Sequence, residues 1–576
     1  MPVDLIRDST FGLIANYLSS GRLFPYADQR PDYVVPERYL ASSSGTSIDS
    51  RFPRTFSQAP TVVSTTSPTS PKDTSTLVNE PGVCPELKGD DLEKQANKDA
   101  SPTPSPPLSE KYRWLVEFDE NDPDRPQNWT MRKKVFVGSL ISLLTFAVYV
   151  GSAVYTSSVP GLMAEFGVGQ VTAISGLTLF VAAYGIGPMI LAPMQELPSL
   201  GRNPVYLVGL ALFVIFQIPE ILAKNMGTVL VFRFLSGFVG SPALATGGAS
   251  MADIFPPQHL AVAIGAWAIG AVCGPIAGPV IGGFAAQEMN WRWPFLELLW
   301  ISGFAFVVLF FLFPETYEDT ILLRRAQRLR KLTGNPLLKA PCEVASENKT
   351  LGGLLKENVF RAVRISIEPA ILVANSYIGI VYAVFYLWFE AFPIVFTEIH
   401  HFNLGLSGLP YLGFVVSAAI TFTFYVLYQR YHMTARMEKG DTAPEVRLEL
   451  GLMAAPFIPV ALFIFGWTSR EDVHWFWPIF GASLYLPGIF LAFQSILMYI
   501  SLSYPRYAAS LLAGNDFFRS TFASVFPLFG TKMYRAMGVG GGSSMLAGVS
   551  ILMIPLLWAI MHYGPRLRAR SNFADV

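Results

Sequence analysis

The chain has 576 residues, of which 51% are hydrophobic and 15% charged, and its mean hydropathy is +0.39. This composition indicates a polytopic membrane protein with a soluble portion and excludes a large soluble enzyme. Its 42 basic residues balance its 42 acidic residues, so net charge gives no attraction toward nucleic acid. Cys84, Cys273 and Cys342 form no CxxC pair, so they predict neither a disulfide framework nor a zinc site.

Residues 1–110 are predicted to form a cytoplasmic N-terminal arm that is largely disordered. Its first 24 residues have the spacing of a short amphipathic helix, which fits either a helix on the membrane surface or an ordinary cytosolic arm. Asp4, Arg7 and Asp8 interrupt the apolar run, so this is not a cleavable signal peptide. From about 41 to 110 the chain is rich in Ser, Thr and Pro, and it lacks the apolar surface that would offset the entropy of ordering. Its Ser-Pro and Thr-Pro pairs are candidate phosphorylation sites.

About twelve apolar stretches long enough to cross a bilayer follow, as two groups of six. The predicted spans are 133–155, 172–193, 204–223, 228–252, 260–284, 295–313, 370–394, 406–428, 450–467, 475–501, 507–530 and 540–563. Two similar halves are typical of secondary transporters. The predicted fold is all-α, with six-helix bundles at 111–313 and 370–563, a central loop at 314–369 and a tail at 564–576.

Basic residues predict how the chain is oriented in the membrane. Between 324 and 364 the sequence has 10 Lys and Arg residues, and more follow the eighth span and the twelfth. The opposite loops hold few: Lys224, Arg292, Arg470, Lys532 and Arg535. Because cytoplasmic loops carry the excess of basic residues, both termini and the central loop are predicted to be cytoplasmic.

The fifth predicted span contains a stripe of glycines at every fourth position, with two prolines beside it. The residues are Gly270, Gly274, Gly278 and Gly282, with Pro275 and Pro279. Small residues at this spacing let another helix approach to backbone contact, and proline bends a helix. Two interpretations fit: the packing face of a structural helix, and a bent helix on which two halves of a transporter move.

Six motifs resemble those of the major facilitator superfamily, in particular the twelve-span fungal drug:proton antiporters. They are GAVCGPIAGPVIGGF at 270–284, FRFLSGFVGSPALATGGASMADIF at 232–255, GRNPVY at 201–206, WRWPF at 291–295, PETY at 314–317 and NDPDRPQNW at 121–129. The resemblance implies a plasma-membrane exporter of azole- or benomyl-type amphipathic compounds. The implied exporter would work by alternating access, would use the proton gradient instead of a cofactor, and would act as a monomer.

The resemblance also assigns roles to charged residues near the membrane. Arg233 matches an arginine that the family implicates in proton coupling; an arginine reaching the outer interface is the alternative. Glu196, Gly201 and Arg202 match a cytoplasmic loop motif that here lacks its middle arginine, and Asp253 is predicted to join them in a latch.

Three further charges lie inside predicted spans, where an ionisable group is costly unless it is paired or faces water. Glu390 lies among aromatic residues on the seventh span, either as a proton carrier or as a carboxylate near the outer end that reaches water. Asp516 and Arg519 are three residues apart on the eleventh span and share a helix face, so they are either proton-coupling groups or an internal ion pair.

Aromatic residues suit a cavity that recognises planar or cationic compounds by apolar area and π-contacts. The candidates, with one glutamine, are Tyr149, Tyr155, Tyr377, Tyr382, Phe385, Gln494 and Tyr499.

Other classes of protein fit less well. No Walker A loop is present, so an ATP-driven pump is unsupported, and the 6 histidines form no metal-ligand cluster. No channel selectivity filter is legible. The prediction is therefore not an enzyme but a transporter, with protons, small amphipathic molecules and the lipid bilayer as its partners and no nucleic acid. An exporter of an endogenous metabolite or toxin, a nutrient or polyamine transporter, and a nutrient sensor remain open.

Overall fold

The computed structural model describes residues 2–36, 39–40, 114–345, 363–440, 443–504 and 508–569. The segment predicted to be disordered, with its candidate phosphorylation sites, lies outside these residues. The chain divides into one unit of Met1–Val34 with Val116–Val576 and a second of Val35–Leu115, of which only a few residues are described. The described residues form helices and no strand, apart from an isolated β-bridge between Ser9 and Pro314.

Two short helices, α1 and α2, begin the chain, and six spans form the first half. Their bounds are Pro2–Asp8 for α1 and Thr10–Leu18 for α2, then Met131–Val154 (span 1, continued by Tyr155–Ser158 and Val159–Phe166), Gln170–Gln195 (span 2), Arg202–Ile221 (span 3), Met226–Ala245 with Gly247–Ile254 (span 4), Pro257–Glu288 (span 5) and Trp293–Leu312 (span 6). Helix α3, Glu318–Thr333, follows span 6.

The second half has the same number of spans. Their bounds are Pro369–Phe392 with Pro393–Ile399 (span 7), Leu406–Tyr411 with Leu412–Tyr428, Gln429–Met433 and Thr434–Glu438 (span 8), Pro444–Arg447 with Leu448–Ala454 and Phe457–Thr468 (span 9), Phe476–Ser483 with Tyr485–Ser503 (span 10), and Ala508–Arg568 (spans 11 and 12).

Span 11 and span 12 are separated by one glycine. Gly538 has a φ of 73°, a conformation that side chains disfavour, and nothing lies within 4 Å of the position of a Cβ there. Among the described residues, 11 helices are long and apolar enough to cross a membrane, and the last, Leu511–Arg568, has 58 residues. At 1.5 Å per residue that helix measures about 87 Å, far more than the roughly 30 Å of a bilayer core, so it supplies two spans. The prediction of an all-α membrane fold with twelve helices is confirmed.

Candidate functional site

Buried tyrosines from both halves meet in the middle of the molecule. The Tyr184 hydroxyl of span 2 lies 3.0 Å from the Tyr382 hydroxyl and donates to the Tyr386 hydroxyl at 3.3 Å, both on span 7. On the same level, Arg519 Nη2 of span 11 donates to the Tyr149 hydroxyl of span 1 at 3.5 Å. A layer of hydrogen bonds therefore joins the two halves. We call these five residues the central cluster.

Arg519 connects this cluster to an acid and to aromatic rings. Its guanidinium donates to Asp516, one helical turn earlier on the same span. The guanidinium carbon also lies 4.9 Å from the ring centre of Tyr382 and 5.2 Å from that of Phe493. The pair predicted from the sequence is thus formed, and its cation faces aromatic surface at the boundary between the halves.

A narrow cavity of about 70 Å³ adjoins the central cluster. Its lining comes from both halves: Tyr149, Leu244, Trp267, Ala268, Ala271, Val272, Pro275, Tyr382, Phe385, Leu486, Ile489, Phe490, Phe493 and Arg519. The surface is almost entirely apolar and aromatic, with one cation. Pockets for drug-sized ligands measure roughly 300–1,000 Å³, so this cavity is too small for such a ligand in this conformation.

The predicted cavity residues divide into two sets. Tyr149, Tyr382 and Phe385 line the cavity. Tyr155 lies elsewhere in the first half, where its hydroxyl donates to the Ala173 carbonyl at 2.5 Å. The others are buried but do not line the cavity: Tyr377, Gln494 and Tyr499.

Arg233 is fully buried within the first half, at 0% exposure, rather than reaching an interface. Its Nη2 donates to the Gly151 carbonyl at 2.8 Å, and its guanidinium carbon lies 4.8 Å from the ring centre of Tyr155 and 4.3 Å from that of Phe180. Backbone carbonyls and two aromatic rings thus replace the water that this cation gives up.

The acid facing Arg233 is Glu220, which the sequence prediction missed. Glu220 Oε2 on span 3 lies 3.9 Å from Arg233 Nη1 on span 4, and both side chains are 0% exposed. The hydroxyl of Ser236 donates to Glu220 Oε1 at 2.9 Å. Neither Glu220 Oε2 nor Arg233 Nη1 has a hydrogen-bond partner among the described residues. The pair is close enough to attract but its facing atoms are not hydrogen-bonded.

A short path connects this pair to the central cluster. Arg233 binds the carbonyl of Gly151, and the next residue, Ser152, accepts a hydrogen bond from the Tyr386 hydroxyl at 3.3 Å. The Arg233 guanidinium is therefore bound one residue along span 1 from a contact between the two halves. Tyr184 and Tyr386 were not among the residues predicted from the sequence.

Glu390 occupies a separate site. Its carboxylate accepts a hydrogen bond from Thr531, and Gln170 at the start of span 2 donates to the same threonine at 3.1 Å. Only 8% of Glu390 is exposed, so its carboxylate is buried. No arginine pairs with it among the described residues. It joins spans 7, 11 and 2 near one end of the bundle.

The predicted latch residues meet at the end of the bundle where span 3 begins. Arg202 Nε donates to Asp253 at 2.9 Å, and the Arg202 backbone N–H donates to Glu315 at 3.0 Å. A Cβ on Gly201 would lie 2.4 Å from Glu315 Oε2, so a glycine is required for this approach. Burial raises the pKa of the Glu196 carboxyl, and the charge of Arg202 partly opposes that. Glu315 lies in the PETY motif but was not predicted to belong to the latch.

The glycine stripe faces span 1 of the same half. A Cβ on Gly274 would lie 2.5 Å from the Tyr149 Cβ, and one on Gly278 would lie 2.5 Å from the Val154 backbone nitrogen. Gly270 and Gly282 face the same span. These glycines therefore serve the packing of spans 1 and 5 inside the first half.

Contact between the halves uses other residues of span 5. A Cβ on Gly408 of span 8 would lie 2.3 Å from the Pro279 carbonyl oxygen, and one on Gly283 would lie 2.9 Å from the Leu404 carbonyl oxygen. Pro275 lines the central cavity. Span 5 thus packs on span 1 with one face and on span 8 with another.

Two helical bundles with a small apolar site between them are the arrangement of many secondary transporters. The family model described as Major Facilitator Superfamily matches residues 141–527, and the chain belongs to this superfamily. It is therefore a multi-pass membrane transporter.

Relatives match over most of the chain. Transporter mfs1 of Schizosaccharomyces pombe is 43% identical over 80% of this chain and 88% of its own length. The Cycloheximide resistance protein of Candida maltosa is 36% identical over 99% of both chains, and Fluconazole resistance protein 1 of Saccharomyces cerevisiae is 38% identical over 79% of this chain and 84% of its own. Among solved structures, the peptide transporter POT superposes with a TM-score of 0.54 at 12% identity, covering 77% of this chain and 97% of that one, which supports the fold alone.

Proposed function

We propose that this transporter exports amphipathic toxic compounds, such as azole- or benomyl-type antifungals, across the plasma membrane in exchange for protons. Relatives named for cycloheximide and fluconazole resistance support this substrate class. The apolar and aromatic lining between the halves also supports it, because such a surface binds varied planar molecules with few fixed hydrogen bonds. The basic central loop supports an orientation with both termini in the cytoplasm.

The observation that carries proton coupling is the buried pair of Glu220 and Arg233. An ionised carboxylate within the membrane is costly unless a cation faces it, and here one cation does so without a direct hydrogen bond. When Glu220 takes up a proton, its attraction for Arg233 is lost. Arg233 then depends on the Gly151 and Gly176 carbonyls and the two aromatic rings. Protonation and deprotonation thus favour different positions of one guanidinium.

The surroundings of Glu220 favour a switch of this kind. Arg233 is the cation that faces it, and Tyr155 lies over the same guanidinium. Arg292 contacts the carbonyl of the next residue, Ile221, but its guanidinium is already paired with Glu165 at 2.6 Å. The charge of Glu220 is therefore balanced chiefly by Arg233.

Coupling to transport follows from the path to the central cluster. Arg233 contacts the backbone of span 1 next to Ser152, which binds Tyr386 of the other half. A proton on Glu220 and a drug between the halves would then favour opposite orientations of one cavity, as two ligands that shift one equilibrium. Arg519 would orient electron-rich or anionic groups of the substrate, and the protein would act as a monomer.

Transport in proteoliposomes tests the proposal. The purified protein would be reconstituted and the uptake of labelled fluconazole or cycloheximide followed with an acidic interior and with equal pH on both sides. We expect uptake only with the gradient and its loss when a protonophore is added. Equal uptake without a gradient would identify a uniporter. No uptake of either compound by folded protein would refute the substrate class and direct the search to endogenous metabolites.

The variant Glu220→Gln tests the proton site separately. We expect it to bind the drug and to exchange labelled for unlabelled drug while losing uptake driven by the gradient. Glu297→Gln is a matched control, because Glu297 is a half-buried carboxyl on span 6 with no arginine partner among the described residues. Gradient-driven uptake by Glu220→Gln equal to that of the control would exclude Glu220 as the proton carrier.

A further inference from the structure

The N-terminal arm folds back onto the first half instead of extending from it. Thr10 Oγ1 at the start of α2 donates to Asn203 of span 3 at 2.6 Å. The Glu315 backbone N–H donates to the Asp8 carbonyl at 3.3 Å, just after span 6 ends. Farther along, Arg328 of α3 pairs with Asp28 at 2.8 Å. The arm is therefore anchored at three points at the end of the bundle where span 3 begins.

One face of α2 is committed to these internal contacts. Gly12 packs against the backbone of α1, since a Cβ there would lie 1.9 Å from the Ile6 carbonyl oxygen. Asn16, one turn later, donates through Nδ2 to the Leu23 and Phe24 carbonyls, both at 3.1 Å. Both residues are buried. These contacts fix the rotation of the helix about its own axis and so decide which side chains point outward.

The outward face of α2 is apolar and uncovered among the described residues. Ile14 is 46% exposed, Tyr17 84% and Leu18 76%. Large apolar side chains at positions i, i+3 and i+4 make a continuous stripe on a helix. Such a stripe would be unfavourable in water, because apolar surface is stabilised when it is removed from water.

This stripe continues a surface that faces lipid. Phe11, three residues before Ile14 on the same side of α2, packs against the end of span 6, with its ring centre 6.2 Å from that of Phe310 and 4.8 Å from that of Phe311. Span 6 exposes an apolar row along its length that ends at Phe311: Trp300, Phe304, Val307 and Phe311. In a membrane-spanning helix such a row contacts acyl chains. Through Phe11, the outward face of α2 extends this lipid-facing row beyond the end of the span.

We propose that α2 is an interfacial helix, with Ile14, Tyr17 and Leu18 inserted at the boundary between the lipid headgroups and acyl chains beside span 6. A tyrosine suits this depth because its ring is apolar and its hydroxyl reaches water. The arm residues from 2 to 36 carry 3 Arg and 4 Asp, so insertion relies on apolar contact rather than on attraction to anionic lipid. The nine-residue helix is too short to be stable alone, and the anchors to spans 3 and 6 hold it in place.

Fluorescence quenching by lipid tests this proposal on the full chain in nanodiscs. In a background with Cys84, Cys273 and Cys342 replaced by serine, a single cysteine is introduced as Leu18→Cys or Ala27→Cys and labelled with the environment-sensitive dye NBD. Ala27 is the control, because it is exposed on the same arm but outside α2. Lipids carrying a nitroxide near the headgroup are then added to the nanodiscs.

We expect the dye at position 18 to emit at shorter wavelength and to lose about half of its intensity or more with nitroxide lipids, as for a side chain at the interface. The dye at position 27 should remain water-like and unquenched. Water-like emission without quenching at position 18 would overturn the proposal. The stripe of Ile14, Tyr17 and Leu18 would then be assigned to contact with a protein partner. Ile14→Cys provides a second site if Leu18→Cys does not fold, and a single symmetric peak in size-exclusion chromatography identifies folded samples.

Discussion

Each half of the transporter contains a buried pair of an arginine and an acid within its spans, and the two pairs are built differently. Glu220 and Arg233 lie on separate helices, spans 3 and 4, with their nearest atoms 3.9 Å apart and unbonded. Asp516 and Arg519 lie one turn apart on span 11 and are directly hydrogen-bonded. The first pair depends on how two helices are placed, whereas the second is held by a single helix.

That difference indicates which pair can couple protonation to movement. A bond within one helix survives any rigid-body motion of that helix, so the Asp516–Arg519 pair keeps its geometry as the halves move. An ion pair across two helices changes its energy when either helix shifts, and it changes again when the acid is protonated. We therefore propose that proton coupling belongs to the first half and that Arg519 in the second half contacts the substrate.

The largest expected effect is that of Arg233→Ala. Removing the cation leaves Glu220 buried without a partner, which costs about 3–5 kcal/mol of stability unless the acid becomes protonated. We expect a lower melting temperature and complete loss of gradient-driven export. The double variant Arg233→Met with Glu220→Gln carries no buried charge, so it should recover the melting temperature but not the coupling. Recovery of gradient-driven export in that double variant would show that the Glu220–Arg233 pair takes no part in proton transport.

Gly274→Val tests packing inside the first half and should have the next largest effect. Its side chain would collide with Tyr149, because a Cβ on residue 274 would lie only 2.5 Å from the Tyr149 Cβ. Overpacking of this kind costs about 1–3 kcal/mol. We expect a lower melting temperature in detergent and reduced export. Gly303→Val on span 6 is the control, because nothing lies within 4 Å of a Cβ there. Equal melting temperatures for the two variants would contradict close packing of the stripe.

Arg519→Gln combined with Asp516→Asn should have a smaller and more selective effect, because removing both charges leaves no acid buried without its cation. It removes the cation that faces Tyr382 and Phe493, and cation–π contacts contribute about 0.5–2 kcal/mol. We expect the KM for drug to change several-fold, while the dependence of uptake on the pH gradient persists. Uptake measured at several drug concentrations and at two pH gradients separates the KM for the drug from the dependence of uptake on the gradient. If gradient dependence were lost while the KM stayed unchanged, proton coupling would belong to the Asp516–Arg519 pair and substrate contact to the Glu220–Arg233 pair.

Much of this architecture was predictable because a bilayer imposes a length. Each span needs about 20 apolar residues, so the spans could be counted from the sequence. Charges inside those spans stand out, which identified Arg233, Asp516 and Arg519. Glu220 was missed because it is the second-last residue of the helix Arg202–Ile221, and an acid at a helix end is usually interfacial. Its partner became evident only when spans 3 and 4 were seen to pack side by side.

The cavity residues were harder to predict for a different reason. Span 7 is buried on nearly all sides, since 78% of its most apolar stretch of 18 residues is buried. Its sequence therefore has no polar face to mark the side toward the cavity. Tyr377, Tyr382 and Phe385 were therefore equivalent candidates, although only Tyr382 and Phe385 line the cavity. Tyr184 and Tyr386 were lost among 23 tyrosines, because hydroxyl contacts between distant spans leave no local pattern.

The smallest expected effect is that of Glu390→Gln, and it completes the comparison of acids. The glutamine can still accept the hydrogen bond from Thr531, and no arginine would be left unpaired by the change. A hydrogen bond to a charged group contributes about 1.5–3 kcal/mol and one to a neutral group about 0.5–1.5 kcal/mol, so we expect a stability change near 1 kcal/mol. Gradient-driven export should continue if, as we propose, the proton that drives it binds Glu220. If export by Glu390→Gln no longer responded to the pH gradient, the proton site would have to be assigned to Glu390 in the second half.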